Sequence, residues 1–148
     1  MKVVHINNKT IFGLSVRTNN NNEMNPDAEK IARLVHKFDN AVVVNYRAGA
    51  RVYGIYYDYE SDSQGNYSVL VGADSVESSV VTLEEVTIQD GNYLVFSGSG
   101  QVPQIIFELW SQVWDYFSSE KCAHTRVYTT DFEFYRTQNE IEIHIAIK

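Results

Sequence analysis

The last eight residues, IEIHIAIK, place isoleucine at 141, 143, 145 and 147, with Glu142, His144 and Ala146 between them. Successive side chains of a strand point to opposite faces, so the isoleucines mark a core face; the use of the other face is left open by the pattern. The same alternation in TIFGLSVRT predicts a strand with Ile11, Gly13 and Ser15 on one side and Phe12, Leu14 and Val16 on the other. VYGIYYDYE and YSVLVGAD predict two strands joined by SDSQGN, a run of turn formers suited to a hairpin. VVTLEEVTI and YLVFSG flank QDGN, where Asp90-Gly91 is a strong hairpin signal, and RVYTTDFEFY adds a strand before the terminal one.

The period changes twice. After an asparagine run that reads as a loop, Ala28, Ile31, Leu34, Val35 and Phe38 fall at helical spacing, with Asn25 placed to cap, Pro26 at the first helical position, and Asp27 and Glu29 near the positive end. Pro103 opens a second helix, whose stripe is Ile105, Ile106, Leu109, Trp110, Val113, Trp114 and Phe117. The element order strand, helix, strand, strand therefore occurs twice, over about 10–75 and about 80–148. Sliding the halves by 73 residues puts Asp58 on Asp131, Tyr59 on Phe132, Glu60 on Glu133 and Asn66 on Asn139, with hairpin turns of equal length, which indicates an internal duplication. The expectation is one α+β domain over 1–148, two pseudo-twofold related β-α-β-β repeats, with a ligand site in the cleft between them.

Length and composition narrow the function. A chain of 148 residues can bury a core without staples, and its single cysteine, Cys122, cannot close an internal disulfide and reads as a small apolar filler. With no signal-peptide run and no apolar stretch of membrane-spanning length, the expected location is the cytoplasm, without membrane attachment. A formal net charge of -7 and no clustered Lys/Arg surface argue against nucleic acid as a partner. Ten Tyr, seven Phe and two Trp supply rings enough to line a pocket as well as a core.

Several constellations carry little chemistry. Asp58 with Glu60, and Asp131 with Glu133, are same-face pairs one strand period apart; lying next to turns, they read as solvated acidic positions. His5, His36 and His124 have no ligand spacing, and SGSG at 97–100 lacks the lysine of a phosphate loop. No metal and no cofactor is expected.

The stretch VYGIYYDYESDSQGNYSVLVGADSV, the YLVFSGSG strand leading to LWSQVW, and the ending DFEFYRTQNEIEIHIAIK resemble the GyrI-like effector-binding domain. That family includes the ligand-binding modules of AraC-type and MerR-type regulators. The likeness runs from about Thr10 to Lys148 and is nearest to stand-alone members such as integron cassette drug-binding proteins. It implies a curved antiparallel sheet with two main helices and a cavity near the pseudo-twofold axis, where a buried glutamate pairs with lipophilic cations. On the family's terminal strand pattern Glu142 matches that glutamate, while His144 and Ala146 depart from the usual aromatic residue and proline. The resemblance also puts Trp110 at the cavity wall; Trp114, Tyr56, Tyr93, His144 and Phe12 are further wall candidates.

With no DNA-binding segment in the chain, direct transcription control is not expected. The reading is a stand-alone binding protein for amphipathic, cationic aromatic compounds. Two others stay open. One is a hydrolase of electrophilic small molecules, with Glu142 activating water and Tyr56 or Tyr93 donating a proton. The other is a protein-interaction module such as a gyrase modulator.

Overall fold

A computed structural model describes residues 1–148. In chain order the elements are β1 (Lys2–Ile6), β2 (Lys9–Thr18), α1 (Asn20–Glu23), α2 (Ile31–Ala41), β3 (Val42–Val44), β4 (Val52–Tyr57), β5 (Tyr67–Ala73), β6 (Val76–Ser79), β7 (Glu84–Ile88), β8 (Gly91–Ser99), α3 (Gln104–Ser118), β9 (Thr130–Tyr135) and β10 (Glu140–Ile147). Eight strands form one antiparallel sheet in the order β1-β8-β10-β9-β4-β5-β2-β7, and β3 pairs separately with β6. Outward from the central β9/β4 pair, the order β10-β8 on one side mirrors β5-β2 on the other, with α3 and α2 as the matching helices. The fold is the α+β arrangement of two β-α-β-β units that the element order predicts.

β1 with β2, and β7 with β8, are two halves of bent strands. Ile6 lies opposite Gly91 and Lys9 opposite Ile88, so the pairing register is unbroken across the bend. There the Asp90 backbone N–H donates to Asn8 Oδ1 at 2.7 Å. This bent ribbon curls the sheet and gives its two faces different fates.

One face carries the helices. Ile141, Ile143, Ile145 and Ile147 meet Ile105, Leu109 and Val113 of α3, while Leu14 and Val71 meet Leu34 and Phe38 of α2. The other face has no helix, yet Ile11, Ile55, Leu70, Ile88, Tyr93, Phe132 and Ala146 are buried on it, because the curled sheet closes over its own side chains. Burying each large apolar side chain contributes roughly 2 kcal/mol before entropy is counted.

Local structure departs from expectation in two places. The asparagine run is not a loop: Asn19 caps the short α1, its side chain accepting the Asn22 N–H at 2.8 Å. Residues Asn25–Glu29 turn instead of opening a helix, so Asn25 and Pro26 do not start α2, which begins at Ile31. Its open end is met by the Glu23 carboxylate, which accepts the N–H groups of Lys30 at 3.0 Å and Ile31 at 3.1 Å.

The duplication is also offset from the sequence alignment. The β4–β5 connection runs over 58–66 but the β9–β10 connection only over 136–139, so the two turns are unequal. Asp58 and Glu60 consequently lie beyond the end of β4, whereas Asp131 and Glu133 lie inside β9.

Candidate ligand-binding cleft

The central strands β4 and β9 run between α2 and α3, and above them opens a cleft of about 1010 Å³. Its floor is Val52, Gly54 and Tyr56 of β4 with Glu133 and Tyr135 of β9; Ile31 and Val35 of α2 form one wall, Ile106, Trp110 and Trp114 of α3 the other. Gly54 lies directly opposite Glu133, and a Cβ there would stand 3.0 Å from Glu133 Oε1. The missing side chain is what leaves room for the carboxylate on the floor.

Rings run along the cleft in a chain of edge and tilted contacts. Tyr128 meets Tyr59 at 5.3 Å between centroids, Tyr59 meets Tyr67 at 5.9 Å, Tyr67 meets Tyr56 at 5.6 Å, Tyr56 meets Trp110 at 5.0 Å and Trp110 meets Trp114 at 6.3 Å. The rim is apolar too: Phe107, Tyr46 and Trp114 are large, exposed and part of the lining. Such a surface offers area and π faces with few directional demands.

Two carboxylates lie buried on this face of β9, and they differ in what balances their charge. Asp131 is fully buried; it takes a hydrogen bond from the Ala146 N–H at 2.9 Å and from Tyr59 Oη at 2.6 Å, and pairs with Arg126 at 2.7 Å. Glu133 receives Trp110 Nε1 at 2.7 Å and Tyr56 Oη at 2.9 Å on Oε2, and Tyr135 Oη at 2.9 Å on Oε1. All three donors are neutral. Burial pushes the Glu133 carboxyl above the usual carboxylate range, against the pull of those three hydrogen bonds, and pushes the Tyr56 and Tyr135 phenols well above theirs. An indole N–H can only donate, so the network is arranged around an accepting oxygen.

Residues 2–147 match the family model described as Cass2, integron-associated effector binding protein. The chain belongs to this family. An integron cassette protein from Vibrio cholerae is 37% identical and superposes with a TM-score of 0.89, covering 99% of this chain and 95% of that one. The fold is shared at lower identity by a putative transcription regulation protein from Staphylococcus aureus (16%, TM-score 0.72, 99% and 97% covered) and by SAV2435, solved bound to tetraphenylphosphonium (17%, TM-score 0.66, 99% and 93% covered). No curated protein matches the chain.

Within this effector-binding fold the residues expected to face a ligand divide into two groups. Tyr56, Trp110 and Trp114 line the cleft together. Glu142, His144, Tyr93 and Phe12 do not. Glu142 and His144 share the helix-free face of β10, where His144 stacks on Phe132 with centroids 4.3 Å apart and Glu142 reaches His144 Nε2 at 3.6 Å. Tyr93 is packed in the core of that same face and donates to the Gln89 carbonyl at 2.6 Å, and Phe12 is half-buried on β2. The carboxylate on the floor of the cleft is thus Glu133 and not Glu142, because the isoleucine face of β10, not its Glu-His face, is turned to the helices; Glu23, Glu29 and Asp39 line the cleft on the α2 side.

The acidic pair Asp131 and Glu133 is likewise not solvated, being 0% and 6% exposed. The signal that could have found it is in DFEFYR: acids alternating with rings inside a strand, followed by no glycine or proline, place both acids on a single sheet face.

Proposed function

We propose that this protein binds amphipathic organic cations with aromatic substituents, and that Glu133 is their charge anchor. The observation that carries the reading is that Glu133 is buried at the floor of an aromatic cleft with neutral donors and no cation of its own. A buried carboxylate without a counter-charge is costly, and a cation entering the cleft restores the balance. The rings add apolar burial and cation–π attraction of about 0.5–2 kcal/mol per well-placed contact. Since these contacts demand area more than direction, a range of bulky cations fits one site. That SAV2435, of the same fold, was solved with tetraphenylphosphonium supports this ligand class.

The test is a titration with tetraphenylphosphonium and with triphenylphosphine oxide, a neutral aromatic relative, following tryptophan fluorescence and thermal melting together. Saturable binding of the cation with a raised melting temperature, and much weaker binding of the oxide, is the expected result. Equal affinity for both removes the charge anchor. Recovery of the ligand unchanged after long incubation accords with binding; its conversion would indicate turnover in the same cleft.

Cation binding is also expected to depend on pH through Glu133. The carboxyl titrates above its ordinary value of 4.5, so affinity is lost as pH falls through that raised value, at a higher pH than an exposed carboxylate would give. Trp110→Phe keeps a ring but removes a donor that stabilises the ionised form. Losing a charge-assisted hydrogen bond of about 1.5 kcal/mol moves the midpoint upward by about one pH unit. An unchanged midpoint in the variant would mean that another group controls the pH dependence.

A further inference from the structure

The second buried carboxylate is already occupied, and its occupant is informative. Arg126 lies 2.7 Å from Asp131 Oδ2, its guanidinium carbon is 4.4 Å from the Tyr128 ring centroid and 5.8 Å from that of Phe117, and Tyr59 donates to the same carboxylate at 2.6 Å. Tyr128 holds its ring there from a backbone φ of 55°, a left-handed conformation unfavourable for an aromatic residue. This repeats the arrangement at Glu133: a buried carboxylate, a tyrosine hydroxyl donating to it, and ring faces alongside. The other neutral donors differ, an Ala146 N–H at Asp131 against the Trp110 indole and a second tyrosine at Glu133, and so does the cation, supplied by the chain at Asp131 and absent at Glu133. Both sites lie on one face of β9, two residues and therefore about 7 Å apart, and Arg126 and Tyr59 line the same cleft as Glu133.

We propose that Arg126 is a resident counter-ion that fixes the number of charges a ligand can bring, restricting the cleft to cations with a single positive centre. The inference rests on the cation-binding reading above. A ligand's first charge meets Glu133; on the floor a second meets a guanidinium already paired with Asp131, while the other carboxylates of the lining stand away from the floor, Glu23 engaged with the start of α2 and Glu29 and Asp39 on the α2 side. Without Arg126 the same floor would present two uncompensated carboxylates and select dications.

Ethidium and propidium separate these cases, since they share a ring system and differ by a quaternary ammonium on a propyl arm. Fluorescence titration of the wild-type chain is expected to give propidium an affinity no higher than ethidium, although the net charge of -7 favours the dication at long range. Propidium binding more than about tenfold tighter than ethidium would overturn the proposal outright, with no variant needed. Arg126→Gln is expected to raise the propidium-to-ethidium affinity ratio by about tenfold or more, and Arg126→Lys to keep the wild-type ratio. A folded Arg126→Gln with an unchanged ratio overturns it. Arg126→Gln combined with Asp131→Asn removes both charges, so it is expected to bind ethidium and gain nothing for propidium; a gain there would show that space, not charge, had excluded the dication. If neither dye binds the wild-type chain, the cation reading itself falls and takes this inference with it.

Discussion

Glu133→Gln is expected to lower the affinity for tetraphenylphosphonium by more than about tenfold while changing that for triphenylphosphine oxide by less than about twofold. Two unit charges about 4 Å apart in partly screened surroundings attract by about 4 kcal/mol, and tenfold needs only about 1.4 kcal/mol, which leaves margin for the cost of stripping water from the cation. The substitution is nearly isosteric and its amide oxygen can still accept from Trp110 and Tyr56, so the fold is expected to persist. Removing a buried charge that has only neutral partners should leave the melting temperature of the free protein unchanged or raise it. Calorimetric titration of both ligands, alongside a melting curve, reads all of this at once. Equal losses for cation and neutral ligand would assign Glu133 to the architecture of the cleft and not to charge recognition.

His144→Phe is expected to make the protein more resistant to acid. His144 is buried against Phe132 and Tyr93, and burial, with a smaller contribution from Lys2, lowers its pKa from 6.5 to about 4. Glu142, 3.6 Å away, is the one facing group that favours the protonated ring. Below pH 6.5 the unfolded chain takes up a proton that the native state refuses until about pH 4, so stability is lost as pH falls across that window. The shift caps the loss at about 3 kcal/mol. Phenylalanine preserves the stacked ring without titrating. Denaturation at a series of pH values should show the wild type losing stability through this window while the variant stays flatter; parallel curves would exclude His144 as the cause. Because the residue is outside the cleft, ligand affinity near neutrality should not change.

The fold was readable because period carries it. Alternation at Ile141–Ile147 and in TIFGLSVRT, and helical spacing from Ile31 to Phe38 and from Ile105 to Phe117, each follow from which face is buried. The site was half readable. Trp110 and Trp114 sit four apart and so share a helical face, and the family resemblance pointed to them and to Tyr56, all three of which line the cleft. The carboxylate was not, for a physical reason: alternation says that Glu133 and Phe134 point to opposite faces but not which face the helices cover. Next to a turn, acids default to solvent, and only the side chains of Trp110, reaching down from α3, and of Tyr56 and Tyr135 make this position interior. At β10 the pattern left the same ambiguity open and the family resemblance placed Glu142 in the cavity, whereas the isoleucine face is the one turned to the helices. The unequal hairpins misled the alignment of halves similarly, since loop length is set by local packing and not by the strands it joins.

The bent ribbon that joins residues 2–13 to residues 84–95 has a bearing on how the chain acquires its structure. Ile11 and Ile55 are made early in synthesis, yet the core that covers them also needs Tyr93, Phe132 and Ala146. The first unit cannot finish its own interior and must hold apolar side chains in water until the second arrives. Helix–sheet contacts within each unit are local and can form quickly, whereas closing the ribbon brings together segments separated by most of one unit, at a loop-closure cost met before any reward. Closure of the sheet is therefore expected to be the slow and committing event, and the interval before it the one in which the exposed strands are most open to pairing with other chains.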